Sequence, residues 1–299
     1  MYDRVMKLAN GVKVPQLALG TWFIDDDKAA EAVRQAVKIG YRHFDTAQAY
    51  ANERGVGEGV RTCGVPREEL FVTSKIAAEH KSYDAAMMSI EGSLTLMGLD
   101  YIDMMIIHSP QPWAEVNQSE DRYFRENRQV WKAMEKALHD GRVRAIGVSN
   151  FLKEDIDNIW ESAEVKPMVN QVLCHISNTP LDLIDYCSEK GIVMEAYSPV
   201  AHGEAMKNEK IREMAGKYGV TIPQLCIRYD LQLGMIVLPK TANPEHMRTN
   251  ADVDFVISVE DMETLKHMEH IRDYGDSSYF PVYGGKLKGY SGKAGSEEV

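Results

Sequence analysis

The chain has 299 residues, of which 44% are hydrophobic and 26% are charged, a balance that excludes a disordered polymer and predicts a globular protein. The formal net charge of −11 argues against general nucleic-acid binding, although it allows one local basic pocket for an anionic cofactor. No run approaches the roughly 18 consecutive apolar residues that a membrane span requires.

The cysteines and the N-terminal residues predict a reducing compartment. The opening MYDRVMKLANGVKVP lacks the apolar core of a secretory signal. The cysteines lack CxxC or zinc-like spacing, which is typical of thiols that pack as small apolar groups: Cys63, Cys174, Cys187 and Cys226. We therefore expect a cytoplasmic protein. We also expect a monomer.

The first predicted element is a β-hairpin. In VMKLANGVKVPQLALG, apolar and polar residues alternate on both sides of Asn10-Gly11, a strong signal for a two-residue turn. We expect this hairpin to close one end of a larger structure.

Eight short apolar runs follow in chain order, separated by amphipathic segments. The strand candidates are residues 17–20, 43–46, 70–75, 102–108, 144–150, 168–172, 193–199 and 235–240. Helical patterns occupy residues 28–39, 83–96, 129–138, 181–189 and 223–233. Eight alternations of strand and helix predict an α/β fold, a (β/α)8 TIM barrel. A doubly wound open sheet is the alternative that this pattern leaves open.

No low-complexity linker divides the chain, so we expect a single (β/α)8 barrel domain over residues 1–299. Residues 271–299 are rich in glycine, serine and tyrosine and lack periodicity. They predict a C-terminal loop or tail.

The predicted strands end in polar or ionisable residues, at the edge of a barrel where active sites lie. These residues are Asp45, Lys75, His108, Ser149, Asn150, Gln171, Tyr197, Ser198 and Lys240. With Tyr50 from the following loop, Asp45, Lys75 and His108 form a chemically consistent set. A lysine ammonium would lower the pKa of the tyrosine by favouring phenolate, and the aspartate would hold the lysine. The histidine could hydrogen-bond a substrate oxygen, although each residue alone also fits a structural role.

Three alternating glycines follow in FDTAQAYANERGVGEGV, and two interpretations of them are a phosphate-binding loop and close helix packing. A phosphate-binding loop would require them directly after the strand. Here Gly55, Gly57 and Gly59 come about ten residues later, beyond Asn52, which is a candidate N-cap. We therefore favour close helix packing over phosphate binding.

Several motifs together resemble the aldo-keto reductases. GYRHFDTAQAYANERGVG at residues 40–57 is similar to the first signature of that family, and GTW at 20–22 precedes it. IGVSNF at 146–151, NQ at 170–171, AYSP at 196–199 and LPKTANPEHMRTN at 238–250 resemble its later landmarks, in order. The resemblance extends from the hairpin to about residue 275.

The resemblance implies a reduction of a small carbonyl or dicarbonyl compound by NADPH, without metal or flavin. Its catalytic residues would be Asp45, Tyr50, Lys75 and His108, with Tyr50 as the proton donor. Ser149, Asn150 and Gln171 would hold the nicotinamide carboxamide, with Tyr197 stacked on the ring. Further cofactor contacts would come from Thr21, Asp45, Ser198, Lys240, Thr241, His246 and Asn250. The substrate pocket would include Trp22, Tyr50, His108 and Trp113.

The chain departs from the family pattern at two places. His246 stands where an arginine usually grips the 2′-phosphate of NADPH, and Arg248 follows two residues later. A neutral histidine lacks the guanidinium fork, so NADPH stays favoured through Lys240 while NADH becomes possible. HSPQPW also replaces the usual HWP, which puts Ser109 in the place of an aromatic wall, with Trp113 nearby.

Two other functions stay open from the sequence. A member of this fold that has become a non-catalytic NADPH-binding sensor or structural protein would not need all four catalytic residues. A metal-dependent barrel hydrolase would need an HxH pair, and the early strand offers only His43 with Asp45. We interpret His43, His175 and His202 as structural.

Overall fold

The computed structural model describes residues 4–287, and it begins with the expected hairpin. Strands β1 (Val5–Lys7) and β2 (Lys13–Pro15) pair antiparallel, with Met6 opposite Val14. The turn between them is tied to the barrel, since Asn10 Nδ2 donates to the Arg144 carbonyl at 2.9 Å. The hairpin therefore covers the amino-terminal end of the barrel.

Within the described residues, eight parallel strands follow in chain order around a closed sheet. They are β3 (Leu19–Gly20), β4 (His43–Asp45), β5 (Phe71–Ile76), β6 (Ile102–Ile107), β7 (Val143–Ser149), β8 (Val169–Leu173), β9 (Val193–Tyr197) and β10 (Ile236–Leu238). Parallel bridges from Leu17 to Val237 and from Gly20 to Lys240 join the last strand to the first. A doubly wound sheet would stay open and reverse its strand order, so the (β/α)8 barrel is confirmed.

Helices surround this barrel and agree with the predicted pattern. Their bounds are α1 (Asp26–Ile39), α2 (Glu53–Thr62), α3 (Tyr83–Met97), α4 (Phe124–His139), α5 (Lys153–Ser162), α6 (Leu181–Glu189), α7 (Glu209–Tyr218), α8 (Ile222–Gln232), α9 (Pro244–Ala251) and α10 (Val259–Lys266). Every residue of β5 and β6 is buried, as expected for strands covered by helices on one face and by the barrel interior on the other. None of the described helices is long and apolar enough to cross a membrane.

The glycines of the first motif lie in α2 and serve its packing. A Cβ on Gly57 would overlap the backbone of Met97 in α3, and one on Gly59 would lie 2.6 Å from Val33 Cβ in α1. The interpretation as close helix packing is confirmed. Asn52 does precede this helix, but its side chain does not cap it, because Oδ1 accepts from the Thr46 hydroxyl at 2.6 Å and Nδ2 donates to the carbonyls of Thr21 and Ile24.

The C-terminal residues that the structure describes form an irregular loop, as predicted. Two 3-10 turns, Gly275–Ser277 and Pro281–Tyr283, interrupt it. Tyr283 is buried and packs in a second apolar cluster with Ile257 and Leu265, outside the main core. The predicted tail beyond residue 287 lies outside the described residues.

Candidate active site

The carboxyl ends of the barrel strands border a cavity of about 710 Å³. Most of the predicted site residues line it: Thr21, Trp22, Asp45, Tyr50, His108, Trp113, Ser149, Asn150, Gln171, Tyr197, Ser198 and Lys240. Lys75 is wholly buried behind Asp45. Three predicted residues do not line the cavity. They lie on the segment that follows the last barrel strand and leads into the next helix: Thr241, His246 and Asn250.

A buried ion pair joins two of the predicted catalytic residues. Lys75 Nζ lies 2.5 Å from Asp45 Oδ1 and donates to the Thr46 carbonyl at 2.9 Å. The two charged side chains come from the adjacent strands β5 and β4, and they are only 0% and 5% exposed. A buried charge requires a partner, and here each side chain compensates the charge of the other. The pair fixes an ammonium directly behind the cavity wall.

Tyr50 lies against this ammonium. It ends the 3-10 turn Gln48–Tyr50, which follows β4, and its ring centre is 4.7 Å from Lys75 Nζ. Burial, and then the negative charge of Asp45, raise the pKa of Tyr50 well above its ordinary value. The expectation that the pKa of Tyr50 falls is therefore wrong for this structure, because burial desolvates the phenolate and Asp45 adds a negative charge. The phenol is held neutral.

His108 and Trp113 continue the wall beside Tyr50. The His108 ring meets the Tyr50 ring edge to face at 5.6 Å and the Trp113 ring at 5.1 Å between centres. Burial, and then the Lys75 ammonium, hold the pKa of His108 well below its ordinary value, so the imidazole is neutral. Trp113 thus places an aromatic ring at the wall, although Ser109 occupies the family's usual aromatic position.

A row of hydrogen bonds links the ends of β7, β8 and β9. Ser149 Oγ donates to the Gln171 carbonyl at 2.9 Å, and Asn150 Nδ2 donates to Ser149 Oγ at 3.1 Å. Tyr197 Oη donates to Asn150 Oδ1 at 2.7 Å. Asn150 adopts a left-handed backbone conformation with φ of 60°, which asparagine tolerates better than most residues. These contacts fix the orientation of each side chain at the cavity.

The structure adds a buried carboxyl that sequence reasoning missed. Gln171 Nε2 donates to Asp45 Oδ2 at 2.9 Å and to Glu195 Oε2 at 2.8 Å. Glu195 is 0% exposed, and burial, with a further contribution from the charge of Asp45, raises its pKa to about 8. The two-residue period of strands was the available signal, since Glu195 shares the inward side of β9 with Tyr197.

Comparison with known proteins identifies the family. The model described as "Aldo/keto reductase family" matches residues 16–270. The chain belongs to the aldo-keto reductase family. The resemblance inferred from the sequence is confirmed, and the protein is an oxidoreductase.

Relatives of this aldo-keto reductase act on very different compounds. "Glyoxal reductase" of Bacillus subtilis is 41% identical over 262 residues, which cover 87% of this chain and 91% of the relative. "9,11-endoperoxide prostaglandin H2 reductase" of Trypanosoma cruzi is 38% identical over 281 residues, with 92% and 95% covered. A crystal structure of an aldo-keto reductase complexed with NADPH superposes with a TM-score of 0.80 at 31% identity, covering 89% of this chain and 88% of that one.

The cavity of this aldo-keto reductase extends from Asp45 towards Lys240. Thr21 Oγ1 donates to the Asp45 carbonyl at 2.8 Å. Ser198 has a left-handed φ of 53°, and its hydroxyl lies 2.8 Å from the Tyr283 hydroxyl. Lys240 is exposed at the end of this wall. Its backbone forms a parallel β-bridge with Gly20, where the last strand of the barrel meets the first.

The residues expected at the adenosine end lie beyond this lysine. Thr241 is buried, and its Oγ1 accepts from the Asn243 backbone N–H at 3.0 Å. His246 is exposed on α9, and Asn250 is buried near the end of that helix. Arg248 pairs with a neighbouring glutamate at 3.3 Å, so its guanidinium already has a partner on the helix surface.

The C-terminal loop forms part of the cavity wall, and the structure identifies its wall residues, which the sequence could not assign. Phe280 meets Trp22 edge to face at 5.0 Å between ring centres. Asn117 Nδ2 anchors the loop by donating to the Pro281 carbonyl at 2.8 Å and to the Gly285 carbonyl at 3.0 Å. The loop residues in the wall are Tyr279, Phe280, Pro281, Val282 and Leu287. Three aromatic residues in SSYFPVY, within a loop, were the signal for this role.

The predicted structural histidines divide into two groups. His43 is buried and contacts the Pro15 carbonyl and the Thr73 hydroxyl, while His175 is buried against Tyr274. These two agree with the prediction. His202 lines the cavity with its ring 5.6 Å from that of Trp22, and its structural role stays a prediction.

Proposed function

We propose that this aldo-keto reductase reduces an aldehyde or ketone to an alcohol, with a hydride from NAD(P)H and a proton from Tyr50. The observation that carries the proposal is the buried Lys75–Asp45 pair, which lies against the Tyr50 ring at the cavity wall. A buried ion pair contributes little to stability in comparison with apolar residues of the same volume. Its position behind a reactive phenol therefore favours a chemical role.

Tyr50 supplies the proton in this proposal. Its raised pKa keeps the phenol protonated at neutral pH, so the acid is ready before the reaction begins. As negative charge develops on the substrate oxygen, the proton passes from Tyr50 Oη to that oxygen, because an alkoxide is a much stronger base than a phenolate. Lys75 then stabilises the phenolate that forms, and Asp45 holds Lys75 in place.

His108 orients the carbonyl group. Its depressed pKa keeps the ring neutral, so one ring nitrogen carries a proton and can donate to the substrate oxygen. A neutral donor places no second positive charge next to the Lys75 ammonium. The T-shaped contacts with Tyr50 and Trp113 fix the plane of the imidazole.

The polar wall fits a nicotinamide cofactor, which supplies the hydride when bound. Both Nε2 hydrogens of Gln171 are bonded to carboxyl groups. The side-chain oxygen Oε1 of Gln171 is therefore left to accept from an amide in the cavity. Ser149 and Asn150 would complete the carboxamide contacts, and Tyr197 would lie against the ring. Thr21, Asp45 and Ser198 would hold the adjoining ribose and pyrophosphate.

NADPH is the favoured form of the cofactor. Lys240 offers a cation at the rim for the 2′-phosphate, with Thr241 beside it and Asn250 near the adenine. His246 is exposed and lacks a guanidinium fork, so NADH stays possible as a second cofactor. The related structure complexed with NADPH supports this preference.

A small carbonyl or dicarbonyl compound is the proposed substrate. Trp22, Trp113 and Phe280 surround the side of the cavity next to Tyr50 and leave it largely apolar. The relative named glyoxal reductase supports a dicarbonyl. We still expect this protein to be a single-domain, cytoplasmic monomer, and these three properties stay predictions.

Two other functions have less support. A non-catalytic sensor would have no use for Tyr50 and His108 together at a cavity. A metal-dependent hydrolase would need His43 as a ligand, yet both of its ring nitrogens contact other groups.

The test follows oxidation of NADPH by the purified protein with a panel of aldehydes, ketones and α-dicarbonyls. We expect Tyr50→Phe to lower kcat by at least about 100-fold while NADPH binding is kept. Tyr186→Phe is the matched control, since Tyr186 bonds to Asp157 on the outer surface. A Tyr50→Phe variant with near-full activity would contradict the acid role. Wild-type protein that binds NADPH but oxidises none with the panel would support the sensor.

A further inference from the structure

Glu195 is a buried carboxyl that the proposed chemistry does not use. It lies on β9, opposite Gln171 of β8 in the sheet register, with its side chain pointing into the barrel. Oε2 accepts from Gln171 Nε2, whereas Oε1 has no hydrogen-bond partner among residues 4–287. An ionised carboxylate in that setting would be costly. The site therefore favours the protonated acid.

The charges around Glu195 lead to the same conclusion. Asp45 and Lys75 are the charged groups that face it from β4 and β5, and they pair with each other. Its neighbour β8 contributes the amide of Gln171, and β10, with the sequence IVL, contributes only apolar side chains. One ammonium thus faces two carboxyls. With Asp45 ionised, a neutral Glu195 leaves the buried cluster without net charge.

We propose that Glu195 is a positioning residue for the cofactor: through Gln171 it orients the carboxamide site, and it releases its proton when an oxidised cofactor binds. This inference rests on the proposed function. The reduced nicotinamide ring is neutral, while the oxidised ring carries one positive charge, which favours an ionised carboxyl nearby. The O–H bond of the Glu195 acid breaks, its electron pair stays on the carboxylate, and the proton passes to solvent.

The positioning part follows from the donors of Gln171. With Nε2 held between Asp45 and Glu195, the amide cannot turn over without losing both hydrogen bonds and presenting its oxygen to the Asp45 carboxylate. Its carbonyl oxygen therefore faces away from them. Loss of the acceptor at Glu195 frees the amide to rotate and weakens the site for both forms of the cofactor.

The proton-release part predicts a pH-dependent ratio of two affinities. The dissociation constants of NADP⁺ and NADPH are measured by fluorescence titration from about pH 6 to 9. Because the two cofactors share every phosphate, phosphate ionisation cancels in the ratio. In the wild type, the ratio of the NADP⁺ dissociation constant to the NADPH dissociation constant should fall as pH rises. For one linked proton the fall is at most tenfold per pH unit. A flat wild-type ratio would overturn the proton release.

Three variants separate the roles. Glu195→Gln keeps the shape of the side chain and an acceptor for Gln171, but it has no proton to release. The ratio of the NADP⁺ and NADPH dissociation constants should therefore not change with pH. An unchanged pH dependence of that ratio would overturn the assignment to Glu195. Glu195→Leu should weaken both cofactors about tenfold, and wild-type affinities would overturn the positioning role. Asp230→Asn is the matched control: this buried carboxyl lies on α8, outside the cavity wall, and the variant should keep the wild-type slope.

A second measurement uses only the wild type, in case a Glu195 variant fails to fold. Calorimetric titration in two buffers with different ionisation enthalpies counts the protons released. Near neutral pH we expect close to one proton per NADP⁺ bound and none per NADPH, and equal counts would overturn the inference. Wild-type protein that binds neither cofactor would overturn the proposed function itself, a result distinct from binding without proton release.

Discussion

Lys75 and Asp45 form an ion pair inside the barrel, with Nζ 2.5 Å from Oδ1 and both side chains nearly inaccessible to solvent. Thirty residues separate them in the chain, and the pairing of β4 with β5 brings them together. The pair therefore depends on the barrel, and the loss of either partner would leave an uncompensated charge inside it.

Replacement of Lys75 by methionine should damage both stability and activity. Lys75→Met leaves Asp45 buried without its cation, and we expect the free energy of unfolding to fall by about 3–5 kcal/mol. The kcat for carbonyl reduction should also fall, because the Tyr50 phenolate loses its stabilising charge. Urea unfolding and steady-state kinetics measure the two effects.

Lys136→Met is the control for this change. Lys136 pairs with Asp140 on the surface, and such an exposed pair contributes about 0–1 kcal/mol. Equal losses of stability in Lys75→Met and Lys136→Met would contradict the special role of the buried pair.

The glycines of α2 can be tested by their packing. Gly57→Ala places a methyl group against the backbone of Met97, so we expect it to destabilise the protein by about 1–3 kcal/mol or more. Gly92→Ala in α3 meets nothing within 4 Å and should stabilise the protein by about 1 kcal/mol through helix propensity. Thermal unfolding of both variants compares the two sites. Alanine tolerated equally well at both would refute the packing role of Gly57.

The stability of the protein should carry a pH signature of Glu195. Its pKa rises on folding from an ordinary 4.5 to about 8, so the protonated acid stabilises the folded state. This contribution to stability is complete at pH values below the pKa of Glu195 in the unfolded state. It is lost as pH rises through the pKa of Glu195 in the folded state. Between these values the wild type should lose about 1.4 kcal/mol per pH unit relative to Glu195→Gln. Urea unfolding at several pH values gives the difference, and parallel curves would argue against a protonated Glu195.

Position 246 should control the choice of cofactor. His246→Arg adds a permanent charge with a planar fork where the 2′-phosphate is expected, so the KM for NADPH should fall about tenfold while that for NADH changes little. His267→Arg is the control, since His267 is an exposed histidine on the surface after α10. A similar change for both cofactors in His246→Arg would place the 2′-phosphate elsewhere.

The amino-acid sequence by itself determined the hairpin, the eight barrel strands and the packing role of Gly57. These features depend on periodicity and turn residues, which act over a few neighbours in the chain. It also indicated which side chains end the strands, because parallel strands place their carboxyl ends at one edge. By that rule the sequence alone predicts that Asp45, Lys75 and His108 lie together.

Only the tertiary structure decided the properties that depend on burial and on distant contacts. The pKa of Tyr50 rises instead of falling because burial desolvates the phenolate and Asp45 adds a negative charge, and no local pattern reveals either effect. Glu195 reaches the Gln171 amide, and Tyr283 meets Ser198 across 85 residues of chain. Such contacts depend on how the closed barrel and its C-terminal loop pack in three dimensions.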